Sequence, residues 1–204
     1  MPRLLIATGN QGKFAEFQEL LAGIPYELVS LRDLGITQAV EETGITYEEN
    51  ARLKAEAYAR ASGLPTLADD SGIEVEALGN EPGVYSARYG GERLTDMQRV
   101  ELLLENLAAA PGAPRTARFV CVIALAEPGR ETQFARGECP GVVASAPRGE
   151  NGFGYDPIFL LPDLDKTMAE LPAAQKNVLS HRARAAQKAK ALLTGTLPTP
   201  ETAG

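Results

Sequence analysis

Length, composition and charge narrow the class of protein before any motif is considered. The chain has 204 residues, 44% of them hydrophobic, which fits one domain with a sizeable core. Its net charge of -7 argues against general binding to nucleic acid or to an anionic membrane surface, so an anionic ligand needs a local cluster of cations. Because no apolar run approaches the ~20 residues of a membrane span and the N-terminus lacks a signal-peptide pattern, we expect a cytoplasmic protein.

A polar segment, Thr8–Lys13, separates a predicted strand from a predicted helix. Leu4–Ala7 is an apolar run typical of a buried strand, and Phe14, Phe17 and Leu20 recur at helical spacing. Exposed N–H groups at a helix N-terminus, together with the two glycines of the segment, favour phosphate binding. The same pattern also occurs as a plain connection in α/β folds, and its spacing is not that of a Walker A loop.

Two lysines stand out in the first predicted helices. Lys13 lies in a first helical turn, where a cation opposes the helix dipole. Lys54 borders the apolar face of a second helix, which the capping box Thr46–Glu49 begins and Ser62 ends. Lys54 could extend along the surface towards solvent, or face a cleft with Lys13 and offset the charge of a polyphosphate. The sequence leaves both interpretations open.

Adjacent carboxylates lie in Thr66–Val75, which we interpret as a strand interrupted by a turn at Ser71 and the glycine after it. Because successive strand residues point to opposite faces, one of Asp69 and Asp70 is expected in a site and the other in support. A carboxylate here can hold a divalent cation or take a proton from water, although the run is also typical of a simple turn. The loop pair Glu41–Glu42 is a surface feature by default, but it could share a metal with Asp70.

The sequence patterns in the middle of the chain indicate helices and strands with mainly structural roles. A helix over Thr95–Leu107 carries an apolar stripe and no recognisable site residue. The apolar strand Ala117–Ala126 is followed by an antiparallel return over Thr132–Gly137, which predicts a second, more antiparallel lobe and a cleft beside it. Cys121 and Cys139 lack metal-ligand spacing and are predicted to be reduced residues in or near the core.

A glycine-flanked aromatic and a short basic group follow. The glycines beside Phe153 leave its ring accessible for stacking on a nucleobase, although a glycine-kinked strand with core aromatics would look similar. Lys176 comes next, and the pair His181–Arg182 opens a C-terminal helix that runs to about Leu193. A single histidine is more often structural than functional. The polar, proline-containing tail Thr194–Gly204 is predicted to be disordered.

Seven motifs, taken in order, resemble those of the inosine triphosphate pyrophosphatase family, whose members hydrolyse deaminated purine nucleoside triphosphates. The resemblance runs from Leu4 to about Leu193 and predicts a single domain over residues 1–193. The motifs are Thr8–Lys13, Glu41–Gly44, Glu49–Ala55, Asp69–Gly72, Pro82–Arg88, Gly152–Pro157 and Ser180–Arg182. Each motif alone is weak, but their common order makes a chance match improbable.

The resemblance implies a fold, a cofactor and a set of site residues. The implied fold is α/β, a mixed central sheet flanked by helices, with two lobes and the active-site cleft between them. A homodimer and Mg²⁺ dependence are also implied, with Asp70 as general base and metal ligand and Glu41 as a further metal ligand. The implied substrate-binding residues are Thr8, Gly9, Asn10, Gln11, Gly12, Lys13, Lys54, Ser71, Phe153, Gly154, Tyr155, Asp156, Lys176, His181 and Arg182.

The implied reaction is hydrolysis of ITP, dITP or XTP to the nucleoside monophosphate and pyrophosphate. Deamination turns the adenine 6-amino donor into a 6-oxo acceptor, so N–H donors from Arg182 and His181 would favour the deaminated bases. An unmatched buried polar contact costs ~1–3 kcal/mol, which disfavours ATP. Two alternatives remain: a pyrophosphatase for other nucleotides, such as modified pyrimidine triphosphates, and a nucleotide-binding regulator without turnover.

Overall fold

The computed structural model describes residues 1–195. The strands are β1 (Arg3–Ile6), β2 (Glu27–Ser30), β3 (Thr66–Val75), β4 (Thr116–Ala126), β5 (Gln133–Val143), β6 (Phe159–Leu161) and β7 (Lys166–Thr167). The helices are α1 (Gln11–Leu20), α2 (Tyr47–Ser62), α3 (Asp96–Ala108), α4 (Ala173–Leu179) and α5 (His181–Thr194). The first two residues of the predicted disordered tail therefore end and cap α5, and residues 196–204 lie outside the described part.

All seven strands form one mixed sheet in the order β2-β1-β3-β4-β5-β6-β7. Strand β1 pairs in parallel with β2 and β3, and every later pair is antiparallel. Helices flank this sheet, so the predicted α/β class is confirmed, while the cleft between two lobes stays a prediction. Within residues 1–195, none of the helices combines the length and apolar character needed to cross a membrane.

Alternation along the central strands assigns the helices to the two faces of the sheet. Leu4 and Leu67 pack in a buried cluster with Phe17 of α1 and the small residues of α5. Leu5 and Ala68, one residue further along each strand, belong to a cluster with α2. The buried, unpaired state of both cysteines agrees with their predicted place in the core. The face of the sheet to which a β3 side chain points therefore determines which helices it contacts.

The prediction for α2 is confirmed at both ends because its signals are local. Thr46 Oγ1 accepts a hydrogen bond from the Glu49 N–H at 3.1 Å, and the Glu49 carboxylate accepts one from the Thr46 N–H at 3.2 Å. Gly63 closes the helix in the left-handed conformation, with φ +69°. These contacts stabilise the helix start and fix which side chains face the sheet.

The turn predicted inside Thr66–Val75 is wrong. Strand β3 runs straight through Ser71 and Gly72 and pairs with β4 along all ten residues. Gly72 allows the backbone of β3 to pass close to Gly83 and Ser86. A Cβ at position 72 would lie 2.2 Å from the Gly83 carbonyl oxygen and 2.4 Å from Ser86 Oγ. Tertiary pairing thus overrides the local turn propensity of the Asp-Asp-Ser-Gly run.

Strand β5 extends to Val143, beyond the predicted end at Gly137. A Cβ at Gly137 would meet the His181 carbonyl oxygen at 2.2 Å and the Ala185 nitrogen at 2.4 Å. The glycine therefore does not end the strand; it lets the first turns of α5 lie directly on it. This contact brings His181 and Arg182 over the sheet.

Gly72→Ala is expected to destabilise the fold by about 1–3 kcal/mol, the usual cost of forcing an extra methyl group into a packed site. The nearest obstacle is a backbone carbonyl, which cannot rotate away. A urea unfolding midpoint measures the change. Gly9→Ala is the matched control, because nothing lies within 4 Å of its Cβ position. Equal midpoints for Gly72→Ala and the parent would contradict the packing argument.

Candidate active site

The Thr8–Lys13 segment joins the end of β1 to the start of α1. Asn10 caps the helix, its side-chain oxygen accepting from the Lys13 N–H at 3.0 Å, and its own N–H donates to Thr8 Oγ1 at 3.1 Å. The Lys13 ammonium then lies 3.0 Å from Asp69 Oδ2. This ion pair explains how a cation is stabilised in a first helical turn, against the dipole.

Asp69 is buried on the face of β3 that meets α1 and α5. Besides Lys13, it receives a hydrogen bond from the Arg182 guanidinium at 3.4 Å. Burial alone would raise the pKa of Asp69, but Lys13 and Arg182 outweigh it and hold the pKa well below its usual range. Asp69 therefore stays an anion that fixes two cations, and its carboxylate supports their positions.

Asp70 points to the opposite face and meets α2. Its Oδ2 accepts from Asn50 Nδ2 at 3.1 Å, and its Oδ1 lies 3.8 Å from the Lys54 ammonium. Burial raises the pKa of Asp70, and the neighbouring Glu42 carboxylate adds to the effect against the opposing pull of Lys54. When two adjacent carboxyl groups have pKa values shifted in opposite directions, the one with the raised pKa can accept a proton while the other stays an anion. Asn50 lies within the motif Glu49–Ala55, but the sequence did not indicate its hydrogen bond to Asp70.

The loop before α2 contributes Glu42 to the same cluster. Lys54 hydrogen-bonds Glu42, and Arg88 Nη1 lies 3.3 Å from its carboxylate. Glu41, the implied metal ligand, is exposed. The structure thus brings Glu42 rather than Glu41 close to Asp70, and it turns Lys54 inward to these carboxylates instead of towards solvent.

The carboxylate cluster suits a hard divalent cation that a phosphate also ligates. Mg²⁺ is commonly held by one or two carboxylates, with substrate oxygens and waters completing the shell. Glu42 and Asp70 supply such oxygens, and both carboxylates lie beside the Lys54 ammonium. Among the described residues, no group of three acidic, histidine or cysteine side chains is arranged to hold a metal ion.

A pocket begins at Lys13 and runs along the other side of β3 towards α4 and α5. The predicted substrate-binding residues that line it are Asn10, Lys13, Ser71, Phe153, Gly154, Tyr155, Asp156, Lys176, His181 and Arg182. Thr8 and Gly9 belong to the adjoining β1–α1 connection, and Gln11 and Gly12 to the first turn of α1. Lys54 lies with Asp70 outside the lining. Lys13 links the two parts, since it lines the pocket and pairs with Asp69, the neighbour of Asp70 in β3.

The far end of the pocket is a buried network of two cations and two carboxylates. Lys176 lies 2.6 Å from Asp156 and 2.8 Å from Glu16, and Arg182 lies 2.7 Å from Glu16. Although burial opposes it, the two cations lower the pKa of Glu16. Both cations also lie over the Phe153 ring, at 4.9 Å and 5.5 Å from its centroid. Glu16 went unrecognised in the sequence because its partners lie about 160 residues away along the chain.

Three ring or guanidinium nitrogens of pocket-lining residues are buried without a hydrogen-bond partner among residues 1–195: His181 Nδ1, Arg182 Nε and Arg99 Nε. His181 stacks on Phe119, with ring centroids 4.6 Å apart. Since buried donors are nearly always paired in native proteins, such atoms mark places where a ligand or water can bind. Phe119 itself was interpreted only as part of a strand.

Helix α3 contributes to the pocket, so its interpretation as scaffold alone was incomplete. Asp96 and Arg99, one turn apart, line the pocket beside Gly154 and Tyr155. Both lie at the helix start, outside the apolar stripe that identifies the helix, and nothing in the sequence singles them out. Their place in the site depends on how α3 packs beside β3 and the loop before β6.

His181 is expected to stay neutral in the folded protein at pH values where an ordinary histidine is protonated. Burial is the main cause of its pKa lying well below the ordinary value near 6.5, and Arg182 and Lys176 add to it. Because the unfolded chain takes up this proton and the native protein does not, stability should fall as the pH drops below about 6.5. It is the single histidine of the chain, so its NMR ring signals are unambiguous. A titration midpoint of these ring signals between pH 6 and 7 would contradict the expectation that His181 stays neutral.

Together, the α/β sheet and its charged pocket have the features of a nucleotide-hydrolysing enzyme. The family model described as Ham1 family matches residues 4–192, and the chain belongs to this family. It is 50% identical over 193 residues to the dITP/XTP pyrophosphatase of Bacillus subtilis (strain 168), covering 95% of this chain and 98% of that protein.

Solved structures agree with this placement. The chain resembles a HAM1 protein from Coxiella burnetii with a TM-score of 0.88 and 43% identity, covering 96% of this chain and all of that one. Its TM-score with the Staphylococcus aureus Ham1 protein is 0.85, at 46% identity and the same coverage. The similarity in fold therefore extends over nearly the whole chain.

Proposed function

We propose that this protein hydrolyses the triphosphates of deaminated purine nucleosides, such as dITP, ITP and XTP, to the monophosphate and pyrophosphate. The observation that carries the proposal is the contrast between two neighbours: Asp69 is an anion paired with Lys13 and Arg182, whereas Asp70, on the opposite face of β3 and 3.8 Å from Lys54, is a carboxyl group whose pKa is raised by burial. The latter is what a general base requires, and it lies next to a lysine-rich pocket. The name of the Bacillus subtilis relative, dITP/XTP pyrophosphatase, supports the substrate class.

The proposed chemistry assigns a proton transfer to Asp70 and charge stabilisation to two lysines. Asp70 accepts a proton from the water that attacks the α-phosphorus, and the bond to the pyrophosphate oxygen breaks. Lys13 and Lys54, with the N–H groups at the start of α1, stabilise the charge that develops on the leaving group. A bound Mg²⁺, held by Asp70 and by a carboxylate of the Glu41–Glu42 pair, would supply further neutralisation of the phosphates. Proximity to Asp70 favours Glu42 for this role.

Base selection is proposed at the far end of the pocket. Phe153 offers an aromatic wall for stacking, and the unpartnered nitrogens of His181 and Arg182 are donors for a 6-oxo group. A neutral His181 can donate from one ring nitrogen only, so its tautomer matters. Adenine would place its 6-amino group, which is also a donor, against these N–H donors, so neither group would have an acceptor. Glu16 and Asp156 hold the surrounding cations in place.

We further propose that the enzyme works as a homodimer in the cytoplasm, with its site in a cleft between two lobes. These features rest on the family resemblance. Gel filtration with light scattering would measure the oligomeric state directly, and a monomer would contradict the dimer without affecting the proposed reaction.

The reaction is tested by identifying its products in ¹⁸O-labelled water. With dITP and Mg²⁺ we expect dIMP and pyrophosphate, with the ¹⁸O in dIMP, because attack at the α-phosphorus places the new oxygen there. Excess EDTA should stop the release of pyrophosphate. Formation of dIDP and phosphate, or label in the pyrophosphate, would contradict the proposed bond cleavage.

A further inference from the structure

The first residue of α3 reaches across to the loop that forms one wall of the pocket. Asp96 Oδ2 accepts a hydrogen bond from the Gly154 N–H at 3.0 Å, although the two residues are 58 positions apart in the chain. Both residues line the pocket. The contact therefore joins a helix that carries none of the proposed chemistry to the loop that carries the aromatic wall.

The loop depends on such contacts because its own backbone is permissive. Gly152 and Gly154 flank Phe153 with φ values of +77° and +62°, conformations that glycine adopts freely and can also leave freely. The Phe153 N–H donates to Asp156 Oδ2 at 3.0 Å, and the next N–H along the chain donates to Asp96. Two consecutive amides are thus held by two carboxylates from different parts of the fold.

Asp96 is itself held in a defined orientation. Its Oδ1 lies 3.5 Å from Arg99 Nη1, and Arg99, which is 8% exposed, also donates to the Gly91 carbonyl at 3.3 Å. A capping box at Thr95, in which its N–H donates to Gln98 Oε1 at 2.8 Å, fixes the start of the helix. The acceptor is therefore presented by a rigid element.

We propose that Asp96 is a positioning residue for the nucleobase: by holding the Gly154 amide, it keeps the Phe153 ring where the base stacks. The inference rests on the proposed function and extends it to a residue outside the seven motifs. Because 60% of the Asp96 side chain is exposed, the core does not need it. Its removal should weaken substrate binding and leave the chemistry at Asp70 unchanged.

Three variants separate this role from a structural one. Asp96→Ala removes the acceptor and should raise the KM for dITP about 5- to 10-fold, the effect of one lost hydrogen bond, with kcat within twofold of the parent. Asp96→Asn keeps an acceptor oxygen and should recover most of the loss. Glu105→Ala, an exposed carboxylate later in the same helix, is the matched control and should not change KM.

Amide hydrogen exchange in the ligand-free protein gives an independent readout by NMR. Asp96→Ala should speed exchange at Gly154 and leave Phe153, which Asp156 holds, as slow as in the parent. A parental KM for Asp96→Ala, or a fall in kcat alone, would overturn the proposal. A parent that releases no pyrophosphate would refute the proposed function instead, and the exchange comparison would still decide whether Asp96 holds the loop.

Discussion

Asp70→Asn is expected to lower kcat for dITP by at least about 100-fold, the lower end of what a general base contributes. The amide has nearly the same shape and can still accept the hydrogen bond from Asn50, but it cannot take a proton. Because burial and Glu42 disfavour the charged form of Asp70, losing its charge should not destabilise the fold. Steady-state kinetics at saturating dITP and a thermal unfolding curve measure the two effects.

Asp163→Asn provides the control for Asp70→Asn. Asp163 is an exposed carboxylate in the connection between β6 and β7, and its replacement should leave both kcat and stability at parental values. A kcat for Asp70→Asn within threefold of the parent would remove Asp70 from the mechanism. A large loss of stability in the same variant would contradict the interpretation of its environment.

Asp69→Asn is expected to have the opposite profile, with a large loss of stability as well as activity. Asp69 neutralises Arg182, which is 2% exposed, and Lys13. Removing one partner of a buried ion pair leaves an uncompensated charge and costs about 3–5 kcal/mol. For a domain of this size, the unfolding temperature should fall by roughly 10 °C.

A double variant tests whether the lost stability comes from stranded charge. Arg182 keeps its ion pair with Glu16 at 2.7 Å in Asp69→Asn, so Lys13 is the cation that loses its carboxylate. Adding Lys13→Met removes this cation and should recover part of the unfolding temperature, although not the activity. An unfolding temperature for Asp69→Asn equal to that of the parent would show that the ion pairs contribute nothing. A double variant less stable than Asp69→Asn would show that Lys13 supports the fold through other contacts.

The features that the sequence predicts well depend on neighbouring residues. The capping box of α2 lies within four residues, and strand alternation alone requires that Asp69 and Asp70 face opposite sides. The expected turn at Ser71 failed because pairing with β4 and the close approach of Gly83 decide the path of β3. Neither contact can be predicted from the propensities of neighbouring residues.

The candidate site also combines features that the sequence could predict with contacts that it could not. A resemblance to a known family could name many residues of the pocket, which segments spread from Asn10 to Arg182 supply, but it could not give their partners. Glu16 and Asp96 enter the site through contacts with residues far along the chain. The choice between Glu41 and Glu42 depends on the course of one loop, where adjacent residues point in different directions.

The most direct test of the proposed function is the ratio of kcat/KM values for XTP and dITP to those for GTP and ATP, measured as pyrophosphate release by the unmodified protein with Mg²⁺. We expect the deaminated substrates to be favoured by at least about 100-fold over ATP, the effect of one or two mismatched buried hydrogen bonds. Comparable values for all four triphosphates would contradict base selection by His181 and Arg182 and leave a general nucleotide pyrophosphatase.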